Sequence, residues 1–112
     1  VNYAGLPDHP DHALVKKYMG ARASGIISFG LKASDSLQAG ARFQDALKLF
    51  TRLVNIGDAK SLACHPASTT HRQLNPAELA KAGVKPDMVR LSIGIEHIDD
   101  LLADLTQALD GV

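Results

Sequence analysis

Residues 88–105, MVRLSIGIEHIDDLLADL, change their periodicity part-way along. Val89, Leu91, Ile93 and Ile95 alternate with Arg90, Ser92, Gly94 and Glu96, which is the period of a strand with one apolar face. From Ile98 the spacing is helical: Ile98, Leu101, Leu102, Leu105 and Leu109 recur every three or four residues. A strand that runs into an amphipathic helix calls for a layered fold, in which the helix closes over the sheet. The same stretch puts Arg90 in the middle of a strand. A guanidinium held there needs an anion, and its planar fork binds a carboxylate through two parallel hydrogen bonds. Pattern alone leaves two readings open. Arg90 either points to water from an edge strand or receives the carboxylate of an acidic or amino-acid substrate.

The rest of the chain predicts similar small elements. HPDHALVKKYMG holds a first helix, with Pro10 near its first turn and Gly20 as its stop. SGIISFGLK (24–32) reads as a buried strand. Ser34 or Asp35 caps a second helix running to about Phe50, with Leu37, Phe43, Ala46, Leu47 and Phe50 mostly on one face and Gly40 as a mild cost. RLVNI (52–56) and SLACHP (61–66) are short strands around a Gly57-Asp58 turn. ASTTHRQL (67–74) is a polar loop, and Asn75-Pro76 opens a small helix that stops at Gly83. The order α-β-α-β-β-α-β-α predicts one α+β domain over residues 1–112, an α/β sandwich with a small sheet covered by helices.

Lys plus Arg and Asp plus Glu both number 12, so no basic excess points to nucleic acid. No apolar run approaches the ~18 residues that span a membrane. The single cysteine, Cys64, excludes an intrachain disulfide and suits a reducing compartment such as the cytoplasm. His9 and His12 share a helix start but lack a third ligand nearby, so a solvated helix end is expected rather than a metal site. Cys64 reads as a buried, inert thiol, with a catalytic pair of Cys64 and His65 or His71 as the alternative; as strand neighbours, however, Cys64 and His65 point to opposite faces and would not meet. His65 and His71 flank a loop and read as hydrogen-bonding groups. Glu96, Asp99 and Asp100 gather where acids complement a helix dipole. Asn55 suits the turn that follows it. The chain starts at Val1 on a loop-like stretch, VNYAGLPDHPDH, and the expectation is a fragment.

Longer motifs go further. SLACHPASTTH and VRLSIGIEHIDDLLADL, with SGIISFGLKAS and YAGLPDHPDH before them, closely resemble the C-terminal part of the Cys/Met-metabolism family of pyridoxal-phosphate (PLP) enzymes. The resemblance covers the whole chain; Ala4 stands where a proline is usual. It implies the small C-terminal domain of a fold-type-I enzyme, with a mainly antiparallel sheet, and it implies that Arg90 binds the substrate α-carboxylate. Asn55, in VNIGD where γ-lyases and γ-synthases usually carry serine, is similar to the O-acetylhomoserine sulfhydrylase branch, and by motif position lies beside the carboxylate with Arg90. The alternatives are the cystathionine γ-synthase and methionine γ-lyase branches, a free-standing amino-acid-binding module, or a purely structural or oligomerisation domain. The family's PLP lysine follows Ser or Thr. Here Lys16, Lys32, Lys48, Lys60, Lys81 and Lys85 follow Val, Leu, Leu, Ala, Ala and Val, and Lys17 follows Lys16. The implied partners are therefore a missing PLP-binding domain, further copies in a tetramer, and an amino-acid substrate. This chain is expected to supply no catalytic, cofactor-binding or metal-binding residue and to be inactive alone.

Overall fold

A computed structural model describes residues 1–20 and 22–112. The elements are α1 (His12–Met19), β1 (Ile26–Gly30), α2 (Ser36–Ala46), β2 (Thr51–Arg52), β3 (Leu62–Cys64), a 3-10 turn (Pro66–Ser68), α3 (Pro76–Lys81), β4 (Met88–Ser92) and α4 (Ile98–Leu109). The strands form one sheet in the order β1-β4-β3-β2. β4 lies inside it, antiparallel to both β1 and β3, and only β2 and β3 run parallel. The expected mainly antiparallel α+β sheet is thus the observed one.

The alternation read in 88–95 decides which way β4 faces. Val89 and Leu91 are buried with Phe43 and Ala39 of α2, Leu101 and Ala108 of α4, and Ala63 of β3. Phe29 on β1 meets Phe43 edge to face, with ring centroids 5.7 Å apart. Helices α2 and α4 therefore cover one face of the sheet. A smaller cluster of Ala67, Leu79 and Val84, with Leu74 and Met88 against it, anchors α3. The start of α3 is fixed by Asn75, whose Oδ1 accepts the N–H groups of Ala77 and Glu78 at 3.0 Å, while Glu78 accepts the Asn75 N–H at 2.8 Å.

Five elements differ from the sequence reading. The strand expected as buried over 24–32 is β1, an edge strand over Ile26–Gly30 that is half-buried with its last residue exposed. Helix α2 stops at Ala46, not near Phe50, because buried Asp104 on α4 takes the N–H groups of Lys48, Leu49 and Phe50 at 2.8–3.1 Å. The strand expected at 52–56 is only Thr51–Arg52; residues 53–56 leave the sheet edge as an exposed loop. The polar loop after Pro66 begins with one 3-10 turn. The apolar stripe of α4 is split: Leu101, Asp104 and Ala108 are buried, whereas Ile98, Leu102 and Leu109 stay exposed. Turning the helix this way lets Asp104 reach the end of α2. Gly40 is no mere cost, since a Cβ there would collide with the buried His65 ring.

Candidate functional site

Pairing across the sheet places Arg90 opposite Ser28 on β1 and Cys64 on β3. Directly paired residues share a face, so Arg90 projects from the side opposite Val89 and Leu91, away from α2 and α4. This is a central strand, so the edge-strand reading of Arg90 does not apply. The loop after β2 folds toward the same face. Its Gly57 N–H donates to Ser92 Oγ at 3.2 Å, and Arg90 Nη2 donates to the main-chain carbonyl of Asn55 at 3.4 Å. The structure thus brings Asn55 and Arg90 together through the backbone. The Asn55 side chain is spent on its own turn, accepting the Ile56 N–H at 2.9 Å.

Arg90 is half-buried, and its Nε is fully shielded with no hydrogen-bond partner. The side-chain ion pairs among the described residues, Arg42–Asp35, Arg52–Asp45 and His97–Asp99, leave it out. A shielded cationic donor without an acceptor is costly, and an anion supplied from outside would relieve that cost. The loop that carries Asn55 exposes apolar side chains on both sides of it, Ile56 at 59% and Val54 at 54%.

Two acids shape the surroundings. Glu96 accepts the Ser61 N–H at 2.7 Å and the Ser61 hydroxyl at 2.8 Å, and these bonds, led by the backbone one, hold its carboxyl below the ordinary value of 4.5 despite desolvation. This corrects the expectation that Glu96 serves the α4 dipole. There His97 caps, through its ring nitrogen, the Asp99 N–H at 3.3 Å. Burial pushes Asp104 up, but the three N–H groups of 48–50 and the Gln107 amide together outweigh it, so its net pKa lies below 3.8. The sequence shows neither role. The Ser61–Glu96 contact spans 35 residues and has no spacing signal, whereas Asp104 was detectable as an acid on the inner face beside Leu101.

The remaining candidates are engaged elsewhere. His9 bonds Asn2 Oδ1 at 2.8 Å and His12 bonds the Ala4 carbonyl at 3.1 Å, so each ties down the N-terminal segment. Cys64 is buried beside Thr69, with Sγ 3.6 Å from its hydroxyl. His65 is fully buried on the α2 side. Its Nε2 donates to the Pro86 carbonyl at 2.7 Å, and its Nδ1 is hydrogen-bonded to the Ser68 hydroxyl at 2.7 Å. Cys64 and His65 do not meet. His71 pairs with the Thr70 hydroxyl. PLP chemistry needs a lysine shielded enough to hold a Schiff base. All seven lysines of this chain are exposed.

The site is thus a half-buried arginine, with no acidic partner among the described residues, on the sheet face away from α2 and α4. Residues 1–110 match the family model of the Cys/Met metabolism PLP-dependent enzymes, and the chain belongs to that family. It is 52% identical to O-acetyl-L-homoserine sulfhydrylase 1 of Thermus thermophilus over 97% of this chain and 25% of that protein. It is 49% identical to L-methionine gamma-lyase of Pseudomonas putida over 97% of this chain and 27% of that protein. Among solved structures, it resembles a Campylobacter jejuni protein assigned as an O-acetylhomoserine (thiol)-lyase, which carries a pyridoxyl-lysine phosphate. The TM-score is 0.82 and the identity 46%, over 96% of this chain and 25% of that one. The chain therefore spans about a quarter of the length of these relatives.

Proposed function

We propose that this chain is the C-terminal, substrate-carboxylate-binding domain of a PLP-dependent O-acetylhomoserine sulfhydrylase, which converts O-acetylhomoserine and sulfide to homocysteine and acetate. The observation that carries the reading is Arg90, set in the central strand with a shielded, unpartnered Nε and no acidic partner among the described residues. Arg90 holds the α-carboxylate, and the Asn55 carbonyl steadies its guanidinium from the side. Fixing one end of the substrate in this way orients its reacting end, and orientation can carry several kcal/mol of a barrier. PLP, when bound, supplies the electron sink for the chemistry. The exposed lysines support assigning its attachment to a larger domain, and the family likeness supports a homotetramer. On this reading the 112 residues alone are inactive, and mixing them with PLP gives no stable, borohydride-reducible band. The lone, buried Cys64 suits a cytoplasmic enzyme.

The test is kinetic, in the full-length enzyme that carries this sequence. Removing one partner of a buried charge pair costs ~2–5 kcal/mol, so Arg90→Ala should lower kcat/KM for O-acetylhomoserine by roughly two to three orders of magnitude with PLP retained. Arg90→Lys should recover little, because the two-pronged geometry is lost. Near-normal kinetics in the alanine variant would overturn the assignment. The similarity to a methionine γ-lyase favours one second reading, an elimination rather than a replacement enzyme. Asn55→Ser separates the two: in a sulfhydrylase it should shift the ratio of sulfide replacement to elimination more than it changes PLP binding. An unchanged ratio would leave Asn55 with only its turn.

A further inference from the structure

The loop that carries Asn55 is exposed at every residue from 51 to 60, yet its carbonyl must sit at one place for Arg90 to be aimed. What fixes it lies at its far end. Ser61 is fully buried at the foot of the loop. It gives its N–H to Glu96 Oε1 and its hydroxyl proton to Glu96 Oε2, and its oxygen accepts the Gly94 N–H at 2.8 Å. Next to it, the Ile95 N–H donates to the Ala59 carbonyl at 3.0 Å. The two backbones approach so closely that a Cβ on Gly94 would strike the Ala59 carbonyl and the Lys60 backbone. The segment leaving β4 and the segment entering β3 are therefore zipped together by one carboxylate and one hydroxyl. Neither group touches Arg90. A carboxylate accepting two donors from one residue fixes both distance and direction, more firmly than a neutral acceptor could.

We propose that Glu96 and Ser61 are positioning residues for the substrate carboxylate: their clamp sets the loop that holds the Asn55 carbonyl against Arg90. This rests on the carboxylate-site reading of Arg90 and assigns the geometry of that site to a pair of residues outside it. The clamp acts through the carboxylate of the amino-acid substrate, and its largest effect falls on the capture of that substrate; sulfide itself makes no contact through a carboxylate.

The experiment uses the full-length enzyme with Glu96→Gln, which keeps an acceptor for one of the two Ser61 donors. It also uses Ser61→Ala, which keeps the backbone bond and is the milder change should Glu96→Gln fold poorly. Readouts are kcat/KM for O-acetylhomoserine and, separately, for sulfide, with hydrogen exchange at the Gly57 and Ile95 amides. Either variant should lower kcat/KM for O-acetylhomoserine about tenfold, leave that for sulfide within about twofold, and speed exchange at both amides. Combined with Arg90→Ala, Glu96→Gln should add little further loss, because both act on one contact. Equal falls for both substrates would mean lost active enzyme and a merely structural clamp, and no fall would overturn the proposal outright. The Arg90→Ala variant separates the two levels. If it impairs O-acetylhomoserine use and the clamp variants do not, only the clamp is wrong; if it is silent too, the carboxylate reading falls with it.

Discussion

The two faces of the sheet are built on opposite terms. On the side of Val89 and Leu91, apolar side chains interlock with α2 and α4, and the buried acid Asp104 has its needs met by four donors. On the side of Arg90, a shielded donor has no acceptor and large apolar residues stand in solvent. The first face packs the core and satisfies Asp104, though the Oε1 of buried Gln44 on α2 also lacks a partner. The second holds the Arg90 guanidinium with a shielded, unpartnered Nε. Strand alternation separates the two: one residue step along β4 moves from the packed face to the face on which we propose that the substrate carboxylate binds.

The comparison predicts where substitutions hurt folding of the 112-residue chain. Phe43 is fully buried between the sheet and both helices, so Phe43→Ala should cost about 3–5 kcal/mol in chemical denaturation. Asp104→Ala strands the N–H groups of 48–50 and should cost about 2–4 kcal/mol at neutral pH. Because Asp104 ionises more readily folded than unfolded, its contribution is complete above its ordinary value of 3.8 and fades as the pH falls through the lower folded value. The gap between wild type and Asp104→Asn should narrow over that acid range; a gap constant with pH would mean that the charge is not what those amides need. Gly40→Ala forces His65 and α2 apart and should cost about 1–3 kcal/mol, read as a lower Tm. Arg90→Ala, on the other face, should change stability by less than about 1 kcal/mol, in either direction. A large loss there would mean that Arg90 belongs to the structural half and would erase the contrast between the faces.

Much of this division is legible in the sequence, because it follows from local periodicity. The alternation from Val89 to Ser92 announces both faces of β4 and isolates Arg90 among apolar neighbours. Asn75, Pro76 and Glu78 announce the start of α3 by local capping chemistry. Long-range hydrogen bonds are what the sequence conceals. RLVNI has the composition of a strand, yet its last four residues leave the sheet, where the Asn55 carbonyl meets Arg90, 35 residues away. The end of α2 is decided by Asp104, more than 50 residues later. Glu96 reads as one of three acids at a helix start, and only the fold reveals that it serves Ser61 instead. Motif likeness singles out Arg90 and Asn55, and the fold adds that Arg90 contacts the Asn55 main-chain carbonyl rather than its side chain.

The most direct test of the central assignment is a crystal structure of the full-length enzyme with an unreactive amino acid such as glycine bound. The account predicts the ligand carboxylate against Arg90 through two N–H···O bonds of about 2.7–2.9 Å, with Nε now satisfied. A ligand whose carboxylate is held elsewhere, with Arg90 still bonded only to the Asn55 carbonyl, would contradict it.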